Sequence, residues 1–316
     1  MACPFRMLDF TEMISEVGGW EPTLSQPLVT PNSVLPSYVP QVSHRGSRIL
    51  PLNCPVVAVP LSAIVSRDRH GKYRVKFSSP ENLRHSLLLQ KDAKIIITSV
   101  APDRHVEDFW AEHQIGKVLL KIAELDVMAM TAPNFSFMSD VPRTNALYNF
   151  ARILRIAERM SEVGIATILH LNASNSRDWE RWFQVLKQQP GISHVCLEFQ
   201  TGTGQTTIGD AYYHGLYTLQ QKLGRQLHPV VLAGMGRVQA FKLHFKDSFT
   251  IIDSMPFIKT LKRRSLIIAA SGKGIWRRKL TPPGQYLDAE MASNLRTYER
   301  LYQLGAHDHE GLLFAA

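Results

Sequence analysis

Cysteine is scarce in this chain: three in 316 residues, at Cys3, Cys54 and Cys196, with no CxxC pair. An odd, scattered set argues against both a disulfide framework and a thiolate zinc site. No metal and no cofactor are therefore expected, and a reducing cytoplasm is the expected compartment. Nothing approaches the run of about 20 apolar residues that a membrane span needs, so no membrane partner is expected. The opening "MACPFRMLDFTEM" carries acids early and lacks the apolar centre of a secretory signal. Acid is missing where base is dense: between Lys259 and Lys279 stand eight lysines and arginines and no Asp or Glu.

That run gives the net charge of +9 a location. Lys259, Lys262, Arg263, Arg264, Lys273, Arg277 and Arg278 form a patch suited to phosphate, and Trp276 among them could stack on a base. The plainer reading is a solvated face with Trp276 packed beneath it. A one-sided run repels itself without a polyanion, which favours a nucleic-acid partner.

Residues 1–55, rich in Pro, Ser and Gly from residue 18 onward, read as an irregular N-terminal arm, leaving 56–316 as one folded domain. Eight apolar runs follow: "VVAVP" (56–60), "KIIITSV" (94–100), "DVMAM" (126–130), "IATILHL" (165–171), "HVCLEF" (194–199), "PVVLAGM" (229–235), "FTIID" (249–253) and "SLIIAAS" (265–271). Segments of helical period separate most of them, and "YRVKF" (73–77) is an extra strand candidate. The pattern predicts an α/β chain, a (β/α)8 barrel of the TIM type, with a doubly wound open sheet as runner-up. Only a stub helix fits between the last two runs.

In both folds, strand carboxyl ends carry the chemistry. The second run leads to Asp103, the third to Asn134, Ser136 and Asp140, and the fourth to His170 and Asn172. The fifth carries Glu198 and Gln200 into "TGTGQ", with Gly202. The sixth ends at Gly234 and Gly236, and the seventh at Asp253. Amides, carboxylates and bare backbone together suit a flat, hydrogen-bonding ligand such as a purine. Bland readings stand beside these. Glu198 can be a satisfied interior acid, His170 a packed histidine, and Asp253 a helix N-cap. "TGTGQ" fails the Rossmann spacing, and "GMG" lacks the ending of a P-loop. "SGKG" (271–274) fits a phosphate or a plain turn.

Several of these strand ends resemble, in collinear order over residues 94–314, those of the tRNA-guanine transglycosylases and the related DNA-modifying 7-deazaguanine transglycosylases. "PVVLAGMGRVQAF" is similar to that family's Leu-Met-Gly-Val-Gly segment. "FTIIDSMPF" resembles its nucleophile strand, and "TILHLNASNSRDWERW" its purine-reading segment. "APNFSFMSDVP" separately resembles a motif of an uncharacterised family of phage and plasmid proteins. The sequence also departs from the transglycosylases. Their zinc cysteines are absent, their Asp-Ser-Gly-Gly-Phe-Gln motif is not recognisable, and Thr131 or Asn134 stands where an acid reads guanine.

The resemblance implies base exchange: guanine in DNA or RNA replaced by a 7-deazaguanine through a covalent Asp–nucleotide intermediate. Asp253 would attack C1′, and Asp103 or Asp140 would move the proton. Asn134, Asn172, Gln200, Gly202, Gly234 and Gly236 would hold the base. The partners implied are the polynucleotide, the incoming base, and a second copy or accessory subunits. The competing expectation is a barrel of the same descent that binds nucleic acid for a partner without chemistry. A hydrolytic glycosylase or nuclease is a third.

Overall fold

The structure is a computed structural model that describes residues 7–19, 22–112, 117–137, 141–200, 206–282 and 284–304. Helix α1 (Met7–Val17) precedes strand β1 (Tyr38–Pro40). Then come β2 (Val56–Pro60), α2 (Leu61–Ile64), β3 (Val65–Arg67), β4 (Tyr73–Val75), α3 (Pro80–Leu87), β5 (Lys94–Thr98), α4 (Asp103–Glu112) and α5 (Val118–Ala123). The middle of the chain forms β6 (Ala129–Thr131), α6 (Arg143–Glu162), β7 (Thr167–His170), α7 (Ser176–Gln188), β8 (His194–Glu198), α8 (Thr206–Leu223), β9 (His228–Leu232) and α9 (Val238–Phe245). The last part holds β10 (Thr250–Asp253), α10 (Met255–Leu261), β11 (Arg264–Ile268), β12 (Gly274–Arg278) and α11 (Asp288–Leu304).

Eight strands lie parallel in the order β1-β10-β9-β8-β7-β6-β5-β2. The ends of the sheet meet at one bridge, Gln41 with Ala58, where Val42 N–H donates to Ala58 O at 2.9 Å. Every strand contributes to a common buried interior cluster: Val39, Ala58, Ile96, Ala129, Ile168, Cys196 and Ile252 from seven of them, and both Val230 and Leu232 from β9. Alternate residues such as Val57, Ile97 and Leu197 pack outward against the helices. Both faces are buried, as a parallel barrel requires, and this is why the strands read as unbroken apolar runs. The fold is the expected (β/α)8 barrel.

Its eighth strand is not the expected one. Residues 265–271 do not join the barrel; β11 pairs antiparallel with β12 in a separate hairpin. Only ten residues separate Asp253 from Arg264, whereas a parallel crossover takes roughly a dozen or more. A barrel strand must also bury both faces, and Leu266 is the only fully buried residue of β11.

The missing place is taken by β1, all three of whose residues are buried. It pairs with β10 in the register Tyr38–Ile251, Val39–Ile252, Pro40–Asp253. Pro40 has no N–H to give, and the ladder continues through Gln41 N–H to Asp253 O at 3.0 Å. The stretch read as an arm therefore contributes to the barrel, and the expected boundary at residue 55 does not separate the two.

The segment before β1 closes the amino end of the barrel. Thr167 N–H donates to Val29 O (2.7 Å), Ile251 N–H to Ser37 O (2.8 Å), and the Thr250 hydroxyl to Pro36 O (2.8 Å). Leu35, 3% exposed, joins the interior cluster as a plug. Earlier still, α1 packs on α6. Tyr148 OH donates to Glu16 Oε2 (2.7 Å) and Arg155 Nε to Val17 O (2.9 Å). Gly164 ends α6 at φ +81°, a left-handed turn that glycine adopts without a Cβ clash. "YRVKF" does hold a strand, β4, paired antiparallel with β3. No described helix is long and apolar enough to cross a membrane.

Candidate nucleic-acid interface and barrel mouth

The two-residue period of each strand carries the interior face up to the carboxyl end. From Ile96, Ala129, Ile168 and Cys196 it reaches Thr98, Thr131, His170 and Glu198, all buried. These groups and the loops above them form a polar mouth. Thr98 hydroxyl donates to Gln41 Oε1 at 2.9 Å, and Ser99 N–H donates to Thr131 Oγ1 at 2.8 Å. The Asn172 amide donates to Asn134 Oδ1 (2.7 Å) and to Phe135 O (2.6 Å), so the two asparagines named from sequence do meet. Gln200 N–H donates to Glu198 Oε1. Trp182 Nε1 donates to Asn172 O at 2.8 Å and fixes the strand-to-loop turn from below.

His170 is wholly buried, and neither ring nitrogen has a hydrogen-bond partner among the described residues. Burial pushes its pKa down to about 3, with the neighbouring Asn172 side chain acting in the opposite direction. It is a neutral imidazole at physiological pH. The Ser99 hydroxyl is likewise buried without a partner. Among the described residues, no group of three or more His, Cys, Asp or Glu could hold a metal ion.

Asp253 is elsewhere. Ile252 faces the interior, so Asp253 falls on the outward face with Ile251, between β10 and α11. It is 4% exposed. One carboxylate oxygen accepts the Tyr298 hydroxyl and the other accepts Met255 N–H at 2.8 Å, at the start of α10. Tyr38 crosses the same space, its ring centroid 5.5 Å from that of Tyr298. Burial raises the Tyr38 pKa most, and the Asp253 charge adds to it. Asp253 thus ties the first residue of α10 and the Tyr298 ring of α11 to the end of β10, one position before the α10 cap residue Ser254.

The other predicted residues scatter. Asp103 opens α4 in an exposed position, accepting the Ser136 hydroxyl at 2.8 Å. A Cβ on Gly234 would lie 3.6 Å from Asp253 Oδ2, an ordinary contact, and Gly236 faces open space. Asp140 and Gly202 lie outside the described residues.

The basic run divides into two populations. Lys259 is buried on α10 and Trp276 is 3% exposed, its ring 6.4 Å from Tyr298. Neither is offered to a nucleic acid. Lys262, Lys273, Arg277 and Arg278 are exposed. In the hairpin Arg264 stands directly opposite Arg278, and Ser265 opposite Arg277. Arg263, half-buried, donates to the Thr281 hydroxyl, and Lys279 pairs with Glu290. No carboxylate among the described residues pairs with Lys262, Arg277 or Arg278. Like charges directly opposite on paired strands are destabilising, and Arg264 faces Arg278 across this hairpin.

Sequence reasoning missed the groups around Asp253. Nothing in the spacing ties Tyr38 or Tyr298 to it, since they lie 215 and 45 residues away in the chain. Gln41 was hidden within the proline-rich stretch. The burial of Trp276 did carry a signal: Gly274 and Trp276 alternate with Ile275 and Arg277, one face inward and one outward.

No family model and no curated protein matches this chain. Among solved structures it is similar to a monomer form of dimeric phosphoribosylanthranilate isomerase from Thermotoga maritima. Identity is 11%, covering 84% of this chain and 99% of that one, with a TM-score of 0.34.

Proposed function

We propose that this protein is a nucleic-acid-binding (β/α)8 barrel that grips a phosphate backbone with the hairpin β11–β12. The observation that carries this is the set of exposed cations Lys262, Arg277 and Arg278 on and beside the hairpin, with which no carboxylate among the described residues pairs. An uncompensated cluster of this kind is stabilised by phosphates and repels itself without them. The amide-lined mouth around Asn134 and Asn172 is suited to a neutral hydrogen-bonding ligand such as a base lifted from its stack. The test is a titration of labelled oligonucleotide at several salt concentrations. Log affinity should fall linearly with log salt, and replacing Arg277 and Arg278 by glutamine should flatten the slope by about 1 to 2 units. An unchanged slope would remove the hairpin from the interface.

Base exchange, guanine for a 7-deazaguanine in DNA or RNA, is the second reading. Two buried carboxylates at strand carboxyl ends, Glu198 and Asp253, favour it beside the sequence resemblance. Asp253 would first have to leave Tyr298 and turn toward the mouth, and for that reason binding is the reading preferred. Incubating the wild type with polynucleotide and no incoming base separates the two. A denaturation-resistant adduct mapping to Asp253 supports exchange; no adduct and no base incorporation with either DNA or tRNA leaves binding alone.

A further inference from the structure

Because Trp276 is buried, a stacking surface for bases must come from another ring, and the loop leaving the hairpin supplies one. After β12, Lys279 N–H donates to Arg263 O at 2.9 Å and the Arg263 side chain holds Thr281. Gln285 N–H reaches back to Pro282 O at 3.2 Å. Leu287 N–H then donates to Ser47 O at 2.8 Å, and Asp288 accepts the backbone N–H groups of Ile49 and Leu50. Tyr286 sits between these anchors. Its neighbour Leu287 is 2% exposed, while Tyr286 itself is 56% exposed. The backbone on both sides is held by hydrogen bonds while the ring stands in solvent. This loop joins the basic hairpin to α11, so along the chain an exposed aromatic follows the exposed cations Arg277 and Arg278.

We infer that Tyr286 is a base-stacking platform for single-stranded nucleic acid whose phosphates lie along Lys262, Arg277 and Arg278. The inference rests on the nucleic-acid reading of the hairpin and adds the class of strand it takes. Stacking uses the face of a base, which a duplex keeps covered and a single strand leaves open. Every base has such a face, so the platform selects strandedness and not sequence. A ring on an anchored backbone also loses little freedom on binding. Leu280, 89% exposed on the same loop, adds apolar surface. An anionic membrane is the competing occupant of a basic, partly apolar surface. A peripheral membrane contact of that kind uses a helix with a continuous apolar face. Here the exposed apolar groups are Leu280 and Tyr286 on the loop and Ile275 on β12, with no helix face among them, which favours the strand.

The test measures binding of a labelled 12-nucleotide thymidine strand, and of the corresponding duplex, at three salt concentrations. Tyr286→Leu should weaken single-strand binding about tenfold. It should leave the salt slope, the duplex affinity and the thermal melt unchanged. Tyr286→Phe should stay within about twofold of wild type, because the ring and not the hydroxyl stacks. Equal single-strand affinity for Tyr286→Leu and wild type overturns the platform and leaves the hairpin reading standing. Absence of salt-dependent binding to either DNA overturns the reading beneath it. Binding to phosphatidylserine vesicles without binding to oligonucleotide assigns the surface to lipid and overturns both.

Discussion

Tyr298 of α11 donates its hydroxyl to the carboxylate of Asp253, the last residue of β10, in a space buried from solvent. The contact joins the terminal helix to the barrel at a residue whose sequence setting suggests a nucleophile. Both groups are satisfied there, so the arrangement is stable without a ligand.

Asp253→Ala removes the acceptor of both the Tyr298 hydroxyl and Met255 N–H. Each donor left buried and unpaired costs about 1–3 kcal/mol, so the denaturant midpoint should drop clearly. Asp253→Asn keeps an acceptor oxygen and should lose far less, with oligonucleotide affinity unchanged. If Asp253→Ala is as stable as wild type, the contact with Tyr298 does not hold α11 to the barrel.

Acid should destabilise this protein through its buried imidazoles. Burial lowers His170 to about 3 and His228, beside His194, to about 4, while His194 is lowered by burial alone. Each folded pKa lies below the unfolded value near 6.5, so below that pH the unfolded chain binds protons that the native chain refuses. Stability is then complete above about pH 6.5 and falls as pH drops toward the folded values. At pH 5 the loss is on the order of 2 kcal/mol for each strongly shifted histidine. Urea midpoints between pH 7.5 and 4.5 test this; His228→Gln should make the decline shallower. A midpoint flat to pH 4.5 would contradict the burial of all three.

Trp276 should behave as a core residue. Trp276→Ala is expected to cost about 3–5 kcal/mol of stability. The milder Trp276→Leu should remain folded and bind oligonucleotide as wild type does, in contrast to Tyr286→Leu. Loss of affinity in a folded Trp276→Leu would return the indole to the interface.

Protease susceptibility should follow the pairing of the early segment. The plug Leu35 and the strand Tyr38–Pro40 are buried, so limited digestion should spare residues 35–42 in the native protein. Leu35→Ala, which empties part of the barrel interior, should cost about 2–5 kcal/mol and expose this stretch to cleavage. Rapid cleavage within 35–42 of the wild type would show that the strand is not held in the sheet.

Seven of the eight barrel strands were legible in the sequence because a strand buried on both faces is a continuous apolar run. Tyr38–Pro40 was not, since a three-residue strand that itself ends in proline is too short to show any period. The hairpin strand at 265–268 misled for the opposite reason: "SLII" is apolar but lacks the crossover length that would return it to the barrel. The mouth was partly legible. Asn134 and Asn172 meet as strand-end residues should, whereas Asp253 is turned by one step of the pleat to the outer face. That one-residue difference decides between a group offered to a ligand and a group that holds a helix.

The single bridge at Gln41 and Ala58 sets the order in which a growing chain can become a barrel. Tyr38–Pro40 is made early, but its ladder partner, Thr250–Asp253, leaves the ribosome more than 200 residues later. Until then β1 has no full partner, and the open edge of β2 can pair with foreign strands. At synthesis rates of roughly 5–20 residues per second, that interval lasts on the order of 10–40 seconds. The nascent chain therefore has a long period in which an escorting chaperone matters, and its two ends must be present together before any barrel exists.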